Sequence, residues 1–574
     1  MLAALVGSFF LRSLLPHAEK AHAATAAAPH HPDSPREIIE TVVFVVVLVL
    51  LLKSFVAEAF VIPTGSMAET LWGYQKVVTC PQCGFEFPVN CSSEVDPPDD
   101  EGFGRGLAPT RVSGCTCPNC RQEISLVTGR DERPAADPGA IPDPGWRSGD
   151  RVLVAKFVYD LLNKSPDRLD VVVFKYPGDP RFPLSGPVKR HVPINYIKRL
   201  IGLPNETIGV YRGKLWVLPP DRGLRYDDAD GSADPGVRSQ LWQIRHTHHN
   251  DPEAVRRFHA GEFQIVRKNP KALLAMRRIV YDNDHPARDV KPARWVPAGG
   301  WTAAADNAFH TDGSSETEWV RYRHLLRRNL DQPQLITDFM GYNTGSGRGM
   351  PGENWASDLM LECQVQVEQA AGQFTLELSR GPDRFQTVFD LASGECRLVR
   401  LEGGKRPTEL KSAPSAVRGP GTYTVRFANC DDRLTVWVND RLVFGDGVEY
   451  GPVAKLAPTR QNDLERPASL GAQGAKLTVS KVKLFRDTYY TTNRTGTPSE
   501  ADAPNFRADD PETWSALENV PVSTYYVQPD HFLCLGDNSP ESSDGRTWGL
   551  VPQRLLLGRA LLVYYPFSRA GRIR

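Results

Sequence analysis

From Ile38 to Phe60 the chain reads IIETVVFVVVLVLLLKSFVAEAF, with an apolar core that presents no polar face. The uncharged core, Thr41 to Leu52, falls short of the roughly 18 residues of a secure span. Lys53 interrupts it, but a lysine near a helix end can carry its charge to the interface. Continued through Ser54–Ala57, the segment reaches about 20 residues and predicts a retained transmembrane anchor over 38–60. A buried core helix and a signal-peptide core are the alternatives. A cleavable signal needs a small-residue site soon after, whereas Ala57–Phe60 runs straight into Val61-Ile62-Pro63. Met1–Leu15 is apolar too, but Arg12 breaks it and it is too short to span. The rest of 1–37 is rich in Ala, His and Pro and predicts a flexible leader.

Beyond the anchor the period shortens to that of strands. Val152–Phe157 and Val171–Phe174 are rich in β-branched and apolar residues, and Asp170 and Pro177 bracket the second. They predict a mainly β core in pieces, 61–79, 146–218 and 518–574. A first interruption, 80–145, holds most of the cysteines and the Pro/Asp/Gly-rich stretches DPPDDEGFGRG and ADPGAIPDPG. Residues 219–332 are charged, with helical-looking pieces, and predict a mixed α/β insertion. Residues 333–488 alternate: FTLELSR from Phe374, TYTVRFAN from Thr422, RLTVWVNDRLVFGD from Arg433 and KLTVSKVKLF from Lys476. Leu434, Val436 and Val438 share a face, and Asn439-Asp440 supplies a turn to Leu442–Phe444. Short strands with turns between them predict a β-sandwich. Its pattern resembles concanavalin-like, laminin-G-type jelly rolls, which often bind carbohydrate and often only pack against neighbours. Trp437 reads as core. Residues 489–517 read as a linker, and His246-Thr247-His248-His249 as a solvated loop.

Lys plus Arg and Asp plus Glu both number 68, so the formal net charge is zero, which argues against a dedicated nucleic-acid binder. Of ten cysteines, six crowd between Cys80 and Cys120. Cys363, Cys396, Cys430 and Cys534 are scattered and read as small buried apolar residues. Cys80-Pro-Gln-Cys83-Gly and Cys117-Pro-Asn-Cys120 form two CxxC knuckles and resemble a zinc ribbon, with structural rather than catalytic metal, because four thiolates leave no open position. The 33 residues between Cys83 and Cys117 exceed the usual roughly 15–20, and disulfides are the competing reading. Cys91 and Cys115 are left over.

The strongest chemical signal is IPTGSM, Ile62–Met67. Three further segments follow in order: SGDRVLVAKF at 148–157, NYIKRLIGLPNETI at 195–208 and GDNSPESSDGRTWGLVP at 536–552. A serine hydroxyl needs a base to attack a peptide bond. No Gly-x-Ser-x-Gly elbow is present, and none of these segments contains histidine. A lysine serves if burial disfavours its charged form, and Lys198 lies among Ile197, Leu200 and Ile201. Together the segments resemble the boxes of bacterial type I signal peptidases, membrane-bound Ser/Lys proteases. The resemblance covers the anchor and the β core and does not extend to the insertions. It implies Ser66 as nucleophile and Lys198 as general base. Thr64 then supplies an oxyanion hydroxyl beside the Ser66 N–H. Ser542 orients the lysine, and Asp544 and Arg546 form a supporting ion pair. The family's usual Gly-Asp after Leu-Pro is Asn205-Glu206 here. Asn tolerates positive φ, so the turn is retained.

The resemblance implies preprotein signal peptides as substrates, cut after small residues of the Ala-x-Ala type and bound as an added strand. It implies no cofactor for catalysis. It places the protein in the bacterial cytoplasmic membrane, as a single-pass protein with an external catalytic domain and the lipid bilayer as partner. Carbohydrate or another protein is the implied partner of the sandwich. The alternative function is an inert, membrane-tethered scaffold carrying that sandwich.

Overall fold

The computed structural model describes residues 35–51, 53, 56–96, 109–128, 139–160, 164–177, 194–220, 251–343, 352–403, 405–492, 502–503 and 505–574. Contacts divide the chain into two units, 1–55 and 56–574. In the first, a helix spans Pro35–Leu51, with Val42–Leu51 exposed and an Arg36–Glu40 ion pair one turn apart. Among the described residues, no helix is long and apolar enough to cross a membrane. The last residues of the span read from sequence, Ala57–Phe60, belong instead to a strand, Ala57–Val61. There the backbone groups pair with Arg151–Ala155, so the sheet takes residues that hydropathy alone assigns to a helix. Residues 1–34 and the His246–His249 run lie outside the described residues.

The second unit is mainly β. One sheet orders Ala57–Val61, Arg151–Ala155, Leu556–Tyr565, Val171–Lys175, Asn195–Gly202, His531–Leu535 and Val551–Pro552. Val171–Lys175 is buried on both faces over its first four residues, as its unbroken apolar run requires. A smaller sheet, Gln264–Ile265, Lys214–Leu218, Thr207–Tyr211 and Ser523–Tyr526, adjoins it through a shared apolar cluster that includes Ile201, Ile208 and Leu533. The turn before Thr207 has Asn205 at φ 67°, and Glu206 is buried, accepting from Leu203 N (2.7 Å) and Arg168 Nη2 (2.6 Å).

Residues 278–486 build two further sheets whose facing apolar residues, Leu361, Val365, Phe374, Leu376, Phe427, Leu434 and Val436 among them, form one core. Asn439 and Asp440 both take positive φ, 48° and 63°, in the hairpin turn. The sandwich starts well before residue 333. Phe309–Thr311 pairs with Leu477–Val479, and Glu318–Tyr322 with Ser469–Ala472. Strands assigned to a mixed insertion from local sequence therefore close the edges of the sandwich sheets, through pairings some 150 residues apart that no local pattern reveals. Trp437 is buried under the helix Pro270–Met276, against Leu273, Met360 and Phe485. Where it is described, the end of the segment read as a linker is packed as well. Pro511–Asn519 forms 3-10 turns that bury Trp514 and Leu517.

Candidate active site and cysteine cluster

Ser66 sits on a single 3-10 turn, Gly65–Met67, and is buried. Pro63 lacks the N–H to continue the strand before it. Ile62 N donates to Asp150 O at 2.9 Å, and Asp150 accepts from Trp72 N at 2.9 Å, so the Ser-Gly-Asp box brackets both ends of the nucleophile segment. Gly149 permits this approach, since a Cβ there would lie 2.0 Å from Ile62 O. The first N–H groups of a helical turn have no partner within it, which leaves the Ser66 N–H available as an oxyanion donor. Thr64 precedes the turn in extended conformation, exposed, and its side chain makes no capping bond.

Lys198 lies in Asn195–Gly202, opposite Val172. Its Nζ donates to Ser66 Oγ at 2.7 Å and to Ile197 O at 3.2 Å, and the residue is 3 % exposed. Burial pushes its pKa down to about 8, against the raising influence of Asp544. Strand alternation turns Arg199 to the other side. There its guanidinium pairs with Asp537 through Nε–Oδ1 (2.7 Å) and Nη2–Oδ2 (2.6 Å). Burial opposes ionisation of Asp537, but Arg199 holds its carboxyl below the usual range.

The Gly536–Pro552 loop closes over the turn. Asp544 accepts from Gly536 N (2.9 Å) and caps Gly545–Trp548. Arg546 pairs with it at 2.7 Å and donates to Thr491 O and Ser539 O, so this is a fully buried, satisfied pair rather than a surface one. Asn538 N donates to Ser66 O at 3.0 Å, and Asn538 Nδ2 to Gly65 O at 3.1 Å. Ser542 is buried, with its Oγ over the Cα of Gly536, but among the described residues it hydrogen-bonds no protein group. The lysine-orienting bond expected of it is therefore not made here; Lys198 Nζ donates to Ser66 Oγ and the Ile197 carbonyl instead. Asn538, read from the sequence with Asp537 as a structural residue of the loop, holds the nucleophile turn, whereas sequence reasoning missed Arg199 and three residues of the insertion, Arg278, Tyr342 and Asn343. A charged residue inside an apolar strand was the available signal for Arg199.

The knuckles cap two hairpins, Gln75–Thr79 with Glu86–Asn90 and Gly114–Thr116 with Glu123–Val127. They bring Cys80, Cys83, Cys117 and Cys120 together, buried, with sulfurs within 4.8 Å of one another. Cys80–Cys120 and Cys83–Cys117 lie 3.6 and 3.7 Å apart. Disulfide sulfurs sit at about 2.05 Å, whereas zinc–sulfur bonds of about 2.3 Å give a tetrahedron edge of about 3.8 Å. The four thiols thus fit a tetrahedral zinc ion. Arg327 adds a cation beside them, with Nη2 3.8 Å from Cys120 Sγ. Cys91 and Cys115 pack in the apolar cluster around the knuckles, and the other four cysteines are buried singly. A further cluster, Asp358, Cys430 and Asp487, already has a cation in place, since Lys268 Nζ lies 2.7 Å from Asp487.

A family model described as signal peptidase, peptidase S26, matches residues 133–249 and 466–565, which include Lys198, Ser542, Asp544 and Arg546. A probable signal peptidase I-2 of Synechocystis sp. is 28% identical over 149 residues, 24% of this chain and 60% of its own length. Signal peptidase I of Leptolyngbya laminosa is 43% identical over 47 residues (8% and 23%), and that of Pseudomonas aeruginosa 35% over 81 residues (12% and 24%). The chain thus spans less than two thirds of these relatives. Among solved structures, the carbohydrate-binding module CBM66 of Bacillus subtilis aligns over 33% of this chain and 95% of its own, at 12% identity and TM-score 0.23, too loosely to carry an argument. Over these segments the chain is similar to the signal peptidase family and to signal peptidase I relatives, which are peptidases.

Proposed function

We propose that this chain is a membrane-bound signal peptidase I that removes N-terminal signal peptides from exported preproteins after small residues of the Ala-x-Ala type. The observation that carries the reading is the 2.7 Å contact of Lys198 Nζ with Ser66 Oγ in a buried setting. With a pKa near 8, about a tenth of Lys198 is neutral at pH 7, enough to act as a base. Neutral Lys198 takes the Ser66 proton as Oγ attacks the scissile carbonyl. The oxyanion is met by the Ser66 N–H and the Thr64 hydroxyl. The lysine ammonium then protonates the leaving amine of the mature protein. A water, deprotonated by the same lysine, hydrolyses the acyl-enzyme and frees Ser66. Asp544 and Arg546 support the loop over the dyad, and Ser542 engages the lysine in the substrate complex.

The substrate adds as a strand to Ala57–Val61. This edge strand pairs only with Arg151–Ala155 among the described residues and leads directly into the nucleophile turn. The apolar N-terminal segment anchors the enzyme in the bacterial cytoplasmic membrane, with the catalytic unit outside. Cys80, Cys83, Cys117 and Cys120 hold a structural zinc ion that organises the two hairpins and takes no part in the chemistry. The test is cleavage of a preprotein in detergent by the wild type, Ser66→Ala and Lys198→Ala. Cleavage by the wild type alone is expected; undiminished cleavage by either variant overturns the dyad.

A further inference from the structure

Two buried residues of the insertion reach the nucleophile turn. Asn343 exchanges side-chain hydrogen bonds with Asn538, each Nδ2 donating to the other's Oδ1 at 2.7 Å. Asn538 is the residue whose amide and backbone N–H hold the carbonyls of Gly65 and Ser66. The reciprocal pair fixes which way the Asn538 amide faces. Its donor edge is turned to Gly65, and its acceptor is satisfied by Asn343. Tyr342, 1 % exposed, packs its ring over Gly65, where a Cβ would lie 2.5 Å from Tyr342 Cε1. Its hydroxyl accepts from Gly73 N at 3.2 Å, and its carbonyl accepts from Asn90 N of the first cysteine hairpin at 2.9 Å.

We propose that the inserted sandwich is part of the active-site scaffold, with Tyr342 and Asn343 as positioning residues that hold the Ser66 turn against Lys198. This rests on the reading of Ser66 as nucleophile. A turn of three residues cannot fix its own geometry, and a buried amide stripped of its partner is free to turn away from the carbonyl it holds. Both residues are buried, so their loss is expected to displace the nucleophile without altering the peptide-binding edge.

The experiment compares full-length wild type, Asn343→Ala, Tyr342→Phe and Tyr342→Ala in detergent, by preprotein cleavage kinetics and by amide hydrogen exchange of the 62–71 segment. Asn343→Ala and Tyr342→Ala are expected to lower kcat about tenfold or more, since small displacements of reacting groups are heavily penalised. KM is expected to stay within about twofold, and the pH at which activity rises to stay unchanged. Exchange of the 62–71 segment is expected to speed up while the sandwich strands stay protected. Tyr342→Phe keeps the ring and loses one hydrogen bond, and is expected to fall between wild type and Tyr342→Ala. Unchanged exchange of this segment in both alanine variants overturns the proposal, as does a kcat loss that merely follows the loss of folded protein. If Ser66→Ala cleaves like the wild type, the nucleophile reading falls, while the exchange comparison still decides whether these residues hold the turn.

Discussion

At the scale of single residues, Lys198 bears the strongest tension between stability and chemistry. Its folded pKa, about 8, lies below the unfolded value, so the unfolded chain binds more protons between the two. The cost of burying it is fully present below pH 8 and fades as pH rises toward the unfolded value. Lys198→Met is therefore expected to abolish cleavage without lowering Tm at pH 7, and to raise it by up to a few degrees, read by calorimetry in detergent. In the wild type, kcat/KM is expected to rise through pH about 8 as the lysine loses its proton. A pH profile flat from 6 to 9 contradicts this. Gly536 is constrained from both sides. A Cβ there would meet Ser542 Oγ at 2.1 Å and Ser66 O at 2.5 Å. Gly536→Ala is expected to cost about 2–4 kcal/mol in denaturant titration and most of the activity. Ser542 separates two roles. Its hydroxyl is buried without a partner, so Ser542→Ala is expected to leave Tm unchanged. A fall in kcat with Tm preserved is the expected mark of a bond made to Lys198 only when substrate is bound. IPTGSM and NYIKR revealed the Ser66–Lys198 pair in the sequence because adjacent residues carry the pattern. Asn343 and Tyr342 were not legible, because nothing near them in the chain reports that they meet Asn538 and Gly65.

At the scale of elements, local chemistry predicts turns well and boundaries poorly. Asn205 takes the positive φ that the Leu-Pro-Asn-Glu turn requires, and Glu206 satisfies the turn from within. Asn205→Val is expected to cost about 1–2 kcal/mol, because a β-branched residue resists that conformation, whereas Asn205→Gly is expected to be near neutral. Equilibrium unfolding measures both. Asn439-Asp440 behaves likewise, as its two positive φ values show. Boundaries fail where one element's residues serve another. Ala57–Phe60 continues the apolar run but pairs as a strand, because the free edge of Arg151–Ala155 offers its backbone hydrogen bonds.

At the scale of the whole molecule, the cysteine hairpins and the sandwich both grip the catalytic core. Asn119, between the two cysteines of the second knuckle, accepts from Asp282 N (2.7 Å) and donates to His285 O (2.7 Å), both from the sandwich. Arg294 Nη1 donates to Asn119 O at 2.6 Å. Arg278, at the start of the sandwich, donates to Ala68 O at 2.9 Å, just past the nucleophile. A zinc ion held by the four thiols, as proposed, would therefore stabilise contacts well beyond the cysteines. Purified protein is expected to carry about one zinc per chain. Its removal by a chelator is expected to lower Tm by several degrees and to release the hairpins to faster hydrogen exchange. Metal analysis that finds no zinc refutes the assignment, as does a chelator that leaves Tm unmoved.

The sequence by itself determined the chemistry that is local. It identified a serine after a glycine in IPTGSM, a lysine among apolar residues, two CxxC knuckles and alternating segments that predict a sandwich. These are legible because each depends on residues a few positions apart. Only the tertiary structure decided which strands close the sandwich, that the cysteine sulfurs meet at tetrahedral spacing, and that Tyr342 and Asn343 of the insertion meet Gly65 and Asn538. Those depend on pairings and packing between segments hundreds of residues apart, which folding brings together and local sequence does not encode. The Asn343–Asn538 pair, 195 positions apart, is the plainest case.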